Sequence, residues 1–198
     1  HLGRRHRLRT SPDPRAAEPQ RQAVHGLDHA RHARGVLAEG HAALGQAILT
    51  RDFDWSNAER QVLRAIELNP NYAAPRIWYA FQLAMEGRFT ESLREAHIAR
   101  DLDPMAILSR FSVAWCSYHA RRFDQALSIC RDTLASEPTN FLMLYCSSFV
   151  HGRMGYHDEA ISHATRLVDA MGKASHTLST LGCAHARACP FRGAGRQP

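Results

Sequence analysis

With 198 residues, 44% of them apolar and 22% charged, the chain is long enough for a substantial core and too apolar to be disordered throughout. No apolar run approaches the roughly 20 residues of a membrane span, no basic-then-apolar leader opens the chain, and five scattered cysteines without a C-x-x-C make no disulfide framework, so a reduced, cytoplasmic protein is expected. The net charge of +6 sits at the ends: residues 1–34 hold eight Arg against three acids (+5), 35–172 hold thirteen Arg against sixteen acids (−3), and 173–198 hold four basic residues and no acid (+4), the reverse of a nucleic-acid-binding middle.

The chain opens on His1, as a sequence starting inside a longer protein would. Residues 1–34 form a basic arm, expected to be disordered over 1–20, with a short helix near 21–34 leading into the body of the chain. Its cluster Arg4, Arg5, Arg7 and Arg9 lacks the aromatic platform that accompanies nucleic-acid contacts, so no nucleic-acid partner is expected. His25, His29 and His32 have the i, i+4, i+7 spacing of one helix face. Structural zinc wants four ligands, and Arg31 and Arg34 stand beside them, so no metal is expected.

Beyond the arm, prolines act as a ruler. Pro70, Pro104 and Pro138 are 34 residues apart, and the next period falls on Gly172. Seventeen residues after each proline come Gly87, Arg121 and Gly155, a turn signal in two copies of three. Ser56, Thr90, Asp124 and Asp158 then offer N-caps, with Ser56-x-x-Glu59 as a capping box. Small residues follow at Ala58, Ser92, Ala126 and Ala160, where two helices can cross closely. Each unit therefore reads helix A, short turn, helix B, closed by a proline that cannot continue helix B.

The units span about 36–70, 71–104, 105–138 and 139–172, and a fifth helix A covers about 174–188. In the first unit the expected helices are 37–49 and 57–68, joined by a turn one residue longer than the others. In the second they are 74–86 and 91–102. The tail 189–198, with Pro190, Gly193, Gly195 and Pro198, continues no unit. The change of composition at both ends reads as truncated or out-of-frame sequence.

The period and signature resemble the tetratricopeptide repeat family over roughly 36–188. Leu44-Gly45 and Leu181-Gly182 match the family's Leu-Gly of helix A, Ala58, Ala126 and Ala160 its alanine, and the three prolines its closing proline. Ala80, Ala114 and Ser148 stand for the usual glycine, and Arg76 and Arg110 for the usual tryptophan. The segment from Thr50 to Trp55, with Ile66-Glu67-Leu68-Asn69-Pro70, is similar to repeat regions attached to bacterial winged-helix regulators, adenylate cyclases and protein kinases. The resemblance implies an all-α superhelix of about four helix pairs plus one extra helix, with a solenoid at 35–188 flanked by the arm 1–34 and the tail 189–198. It also implies a non-catalytic scaffold that binds a peptide or partner protein in its concave groove. A regulatory segment of a larger bacterial regulator or signalling enzyme is the alternative.

No phosphate loop, dinucleotide motif or hydrolase motif is present. Cys116, His119 and Asp124 make a weak nucleophile–base set, since Asp124 already serves as a cap, so neither an enzyme nor a cofactor is expected. In the resembling family helix A lines the groove. Phe81, Trp115 and Phe149 lie 34 residues apart on successive A helices, Ile77, Phe111 and Tyr145 form a second line one turn earlier, and Met85 and Tyr118 lie near the same face. These eight residues are the expected partner-binding surface, because aromatic and methionine side chains dominate hot spots. The family's carboxylate clamp wants Lys and Asn here, so a hydrophobic or amphipathic helical segment is the expected ligand. Packing between neighbouring A helices is the competing role.

Overall fold

The computed structural model describes residues 18–188, with side chains from residue 28 onward. Among them are nine α-helices and no strand: α1 (Glu18–Arg51), α2 (Trp55–Leu68), α3 (Ala73–Met85), α4 (Phe89–Leu102), α5 (Ile107–His119), α6 (Phe123–Ser136), α7 (Phe141–Met154), α8 (His157–Met171) and α9 (Ser175–Ala188). Odd-numbered helices are the A helices and even-numbered the B helices of the repeat. Every helix packs on its chain neighbours. Each A helix also touches the next A helix, whereas among the described residues no B helix touches the next B helix. The A helices are therefore closer together, and the stack curves with them on its inner face.

The crossings explain the small residues. Ala58, Ser92, Ala126 and Ala160 have no exposed surface. A Cβ on Gly45 would lie 2.9 Å from Val62 Cγ2 and 3.2 Å from the Ala58 carbonyl oxygen, so only glycine lets α1 and α2 meet at this distance. At two of the other crossings a hydroxyl fills the seam: Ser92 Oγ donates to the Ala80 carbonyl at 2.8 Å, and Ser148 Oγ donates to the Ala160 carbonyl at 2.9 Å.

Two expectations need correction. The first A helix is not a short helix near 21–34 followed by 37–49, but one unbroken 34-residue helix from Glu18. Pro19 sits in its first turn, where a missing N–H is harmless. Gly26, Gly35 and Gly40 are single glycines, each costing about 1 kcal/mol without ending a helix. The expectation of disorder over 1–20 thus fails for residues 18–20 and otherwise lies outside the described residues.

The second correction concerns the caps. Ser56, Thr90, Asp124 and Asp158 lie inside their helices, and the N-cap positions belong to Asp54, Arg88, Arg122 and Tyr156. In three turns the reason is a six-to-one closure: the Arg88, Arg122 and Tyr156 N–H groups donate to the Leu83, Ser117 and His151 carbonyls at 2.9, 2.8 and 3.0 Å. The residue before each is left-handed (Gly87, Arg121, Gly155), and the chain enters helix B at once. In the first unit Asp54 caps α2 by accepting from the Asn57 N–H at 3.0 Å. Asp124 and Asp158 still serve their helices from the first turn, where negative charge complements the dipole.

Polar contacts lock the first units together. Tyr79 donates to Glu59 at 2.7 Å, Arg88 pairs with Glu59 at 3.0 Å, and Gln82 donates to the Trp55 carbonyl at 3.0 Å. Burial and the neighbouring Glu59 push the Tyr79 hydroxyl up to about 12. Arg76, at the family's tryptophan position, pairs with the almost fully buried Glu95 of α4 at 2.7 Å.

Candidate functional site

The inner face is built by α3, α5 and α7, whose common register brings one aromatic line together. The Phe81 and Phe111 ring centroids are 6.0 Å apart, Phe111 and Trp115 stack at 5.8 Å, and Trp115 meets Tyr145 at 5.3 Å and Phe149 at 5.8 Å. Tyr118 stacks on Trp115 at 5.1 Å, and Tyr145 lies 4.7 Å from Phe149. Rings at such distances gain contact energy beyond their burial, so the ladder is a rigid, preformed surface.

The eight expected groove residues divide. Ile77 and Phe111 are 2% and 7% exposed and belong to the core. Both point one helical turn away from the groove line into the packed seam, Phe111 against Ala114, Met143 and Cys146. Phe81, Trp115, Tyr118, Tyr145 and Phe149 are half-buried. Met85 is 68% exposed at the end of α3.

Three further residues join the ladder that were not expected in the groove. Trp78 extends it at 5.8 Å from Phe81, His119 packs edge-on to Trp115 at 5.1 Å, and the Arg187 guanidinium lies 5.7 Å from the Phe149 ring centre. His119 and Arg187 share the 34-residue register of Met85, a signal that the repeat contained. Trp78 had no periodic counterpart to mark it.

The ladder is polar at its tips. The Trp115 indole N–H and the Tyr118 and Tyr145 hydroxyls have no hydrogen-bond partner among the described residues. Burial raises Tyr145, helped by Tyr118 and Cys146, so it stays a donor at neutral pH. Burial lowers His119, keeping that ring neutral at pH 7. The surface thus offers flat apolar area, donors at its edge and a guanidinium at its α9 end.

The Cys116, His119 and Asp124 set does not assemble into a nucleophile–base site. Cys116 is fully buried, its thiol is directed at the Ala80 carbonyl at 3.7 Å, and burial pushes it up to about 11. It is a packed hydrophobe, unpaired with His119. Among the described residues no three His, Cys, Asp or Glu side chains are placed to hold a metal ion. The His25 side chain lies outside that set. No helix among the described residues is long and apolar enough to cross a membrane.

No family model matches the sequence, and no curated protein does. Solved structures do match. MamA (residues 41 to the end) from Desulfovibrio magneticus RS-1 aligns at 16% identity over 77% of this chain and 86% of its own, with a TM-score of 0.58. TTC0263, a thermophilic TPR protein of Thermus thermophilus, aligns at 16% identity over 75% and 81%, with a TM-score of 0.68. YrrB, a TPR protein with an unusual peptide-binding site, aligns at 12% identity over 74% and 75%, with a TM-score of 0.50. At such identities the likeness concerns the fold, and the fold of this chain is the tetratricopeptide-repeat superhelix.

Proposed function

We propose that the chain is a non-catalytic interaction scaffold whose solenoid, residues 35–188, binds a peptide or partner-protein segment along its concave aromatic face. The half-buried Phe81, Trp115 and Phe149 carry this reading, with the core residue Phe111 packed between Phe81 and Trp115. Five half-buried rings, with the exposed Met85 and Arg187 beside them, supply the large rigid contact area that anchors interfaces. A hydrophobic or amphipathic helix fits best, its apolar side chains on the rings. Cys116, Cys130, Cys146 and Cys183 are free thiols, which supports a reducing compartment such as the cytoplasm.

The test is affinity selection from a displayed library of amphipathic helical peptides on the full chain, followed by binding to Met85→Asp. Because Met85 is exposed, the charge disturbs the surface and not the core. Selected peptides should lose about tenfold or more in affinity, the scale of one interfacial hot spot. Full-strength binding to Met85→Asp, together with competition by peptides that bind elsewhere, would refute the groove.

A further inference from the structure

A second recess lies on the other side of α7. Ser147 and His151 stand roughly 200° around the helix from Tyr145 and Phe149, facing α6 and α8, and help to line a pocket of about 370 Å³, within the range of small-molecule sites. Its polar groups are Arg131 of α6, His151 of α7, and His163 and Arg166 of α8, and its apolar walls include Leu127 and Leu134. No carboxylate lines it.

The pocket's hydrogen bonds are incomplete. Arg166 spends one N–H on the Pro138 carbonyl at 2.7 Å, leaving its others available. Arg131 has no hydrogen bond or ion pair among the described residues. His151 Nδ1 donates to the Ser147 carbonyl at 2.8 Å, which fixes its tautomer, and its ring stacks on His163 at 5.1 Å. His163 Nδ1 is buried without a partner, a condition that folded proteins rarely leave unfilled. Burial, with His151 and Arg166 adding, pushes His163 down to about 4, so the ring is neutral at pH 7 and the positive charge belongs to the two arginines.

The repeat supplies its own control. The same recess one period earlier is smaller, about 200 Å³. It also has two arginines, Arg100 and Arg110, but it presents Asp132 where this one has Arg166, and Ile129 where this one has His163, so an acid stands beside its guanidiniums. The set of two guanidiniums without an acid is therefore a property of this unit and not of the scaffold.

We propose that the pocket between α6, α7 and α8 binds a small organic oxyanion, a phosphate monoester or a carboxylate, with its anionic group on Arg131 and Arg166 and its apolar body against Leu127 and Leu134. Guanidiniums hold such groups through paired N–H donors. The site is separate from the aromatic groove and does not depend on the groove's occupant.

The experiment titrates phenyl phosphate, benzoate and inorganic phosphate into the full chain and follows the imidazole resonances by NMR. Saturable shifts of His151 and His163 with phenyl phosphate or benzoate are expected, and which of the two binds more tightly distinguishes phosphate from carboxylate. Inorganic phosphate should bind at least about tenfold more weakly than the better organic probe, for want of apolar contact. Arg131→Gln breaks no hydrogen bond or ion pair among the described residues and should weaken binding about tenfold. Arg166→Gln should do the same, and if it unfolds the protein, Arg131→Gln decides alone. Absence of saturable shifts, unchanged binding in Arg131→Gln, or inorganic phosphate binding as tightly as both organic probes would overturn the proposal.

Discussion

Arg121 occupies the turn between α5 and α6 at φ 60°, in the left-handed region, where the equivalent turns have Gly87 at φ 81° and Gly155 at φ 85°. A side chain in this conformation costs about 1–2 kcal/mol. Arg121 is exposed and its side chain has no hydrogen-bond or ion-pair partner among the described residues, so Arg121→Gly removes that strain and loses no such contact. The exchange also frees the unfolded chain, at a cost of about 0.4–1 kcal/mol. The net gain is about 0.5–1 kcal/mol, a rise of about 1–4 °C in melting temperature for a chain of this size. The mirror experiment is Gly155→Ala. A Cβ there meets nothing within 4 Å, so its loss of about 1 kcal/mol would be purely conformational. Both variants are read by thermal circular dichroism. If Arg121→Gly melts at or below the parent and Gly155→Ala is neutral, the reasoning about these turns is wrong.

The Arg76–Glu95 pair joins α3 to α4 with side-chain exposures of 15% and 8%; Arg76→Met should destabilise by about 2 kcal/mol, less than an isolated buried pair because Arg94 also reaches Glu95 at 3.3 Å, while Arg76→Met with Glu95→Leu should return within about 1 kcal/mol of the parent in urea denaturation. His163 is held neutral in the folded state at about 4, whereas in the unfolded chain it takes a proton near its usual 6.5, so its contribution is complete above about pH 6.5 and is lost as pH falls toward 4. With allowance for solvent screening at a half-buried site this is about 1–2 kcal/mol, and His163→Gln should flatten that part of the stability–pH curve. Limited proteolysis should remove the segments before residue 30 and after residue 188 first; a resistant fragment starting inside the second or third repeat would contradict a single cooperative stack.

The repeat was legible because it is set by residues with one physical role each. The prolines follow helix B, whose C-caps are Asn69, Asp103 and Glu137, and the buried small residues mark crossings that admit only small side chains. Helix starts were less legible. Thr90 and Asp124 are good caps in isolation, but the six-to-one closure after Gly87 and Arg121 begins each helix earlier. The long α1 was hidden by its glycines, which resemble breaks in sequence and act as minor local costs in a packed helix. The groove was half legible for a geometric reason. Residues four apart differ by only about 40° around a helix, so the lines of Ile77 and Phe111 and of Phe81 and Trp115 look alike in sequence. Packing against the next A helix buries the first and leaves the second half open. The pocket behind α7 carries no repeated pattern at all, since its arginines and histidines depart from the equivalent positions one period earlier.

The concave face can be tested most directly through the chain's three tryptophans. Trp78 and Trp115 belong to the ladder, and Trp55 opens α2, outside it. In a titration with a selected amphipathic peptide, followed by NMR of the indole N–H groups, the Trp115 and Trp78 resonances should shift together with one dissociation constant while Trp55 stays in place. A bound peptide that leaves Trp115 unmoved, or moves Trp55 alone, would contradict the assignment of the aromatic face as the binding surface.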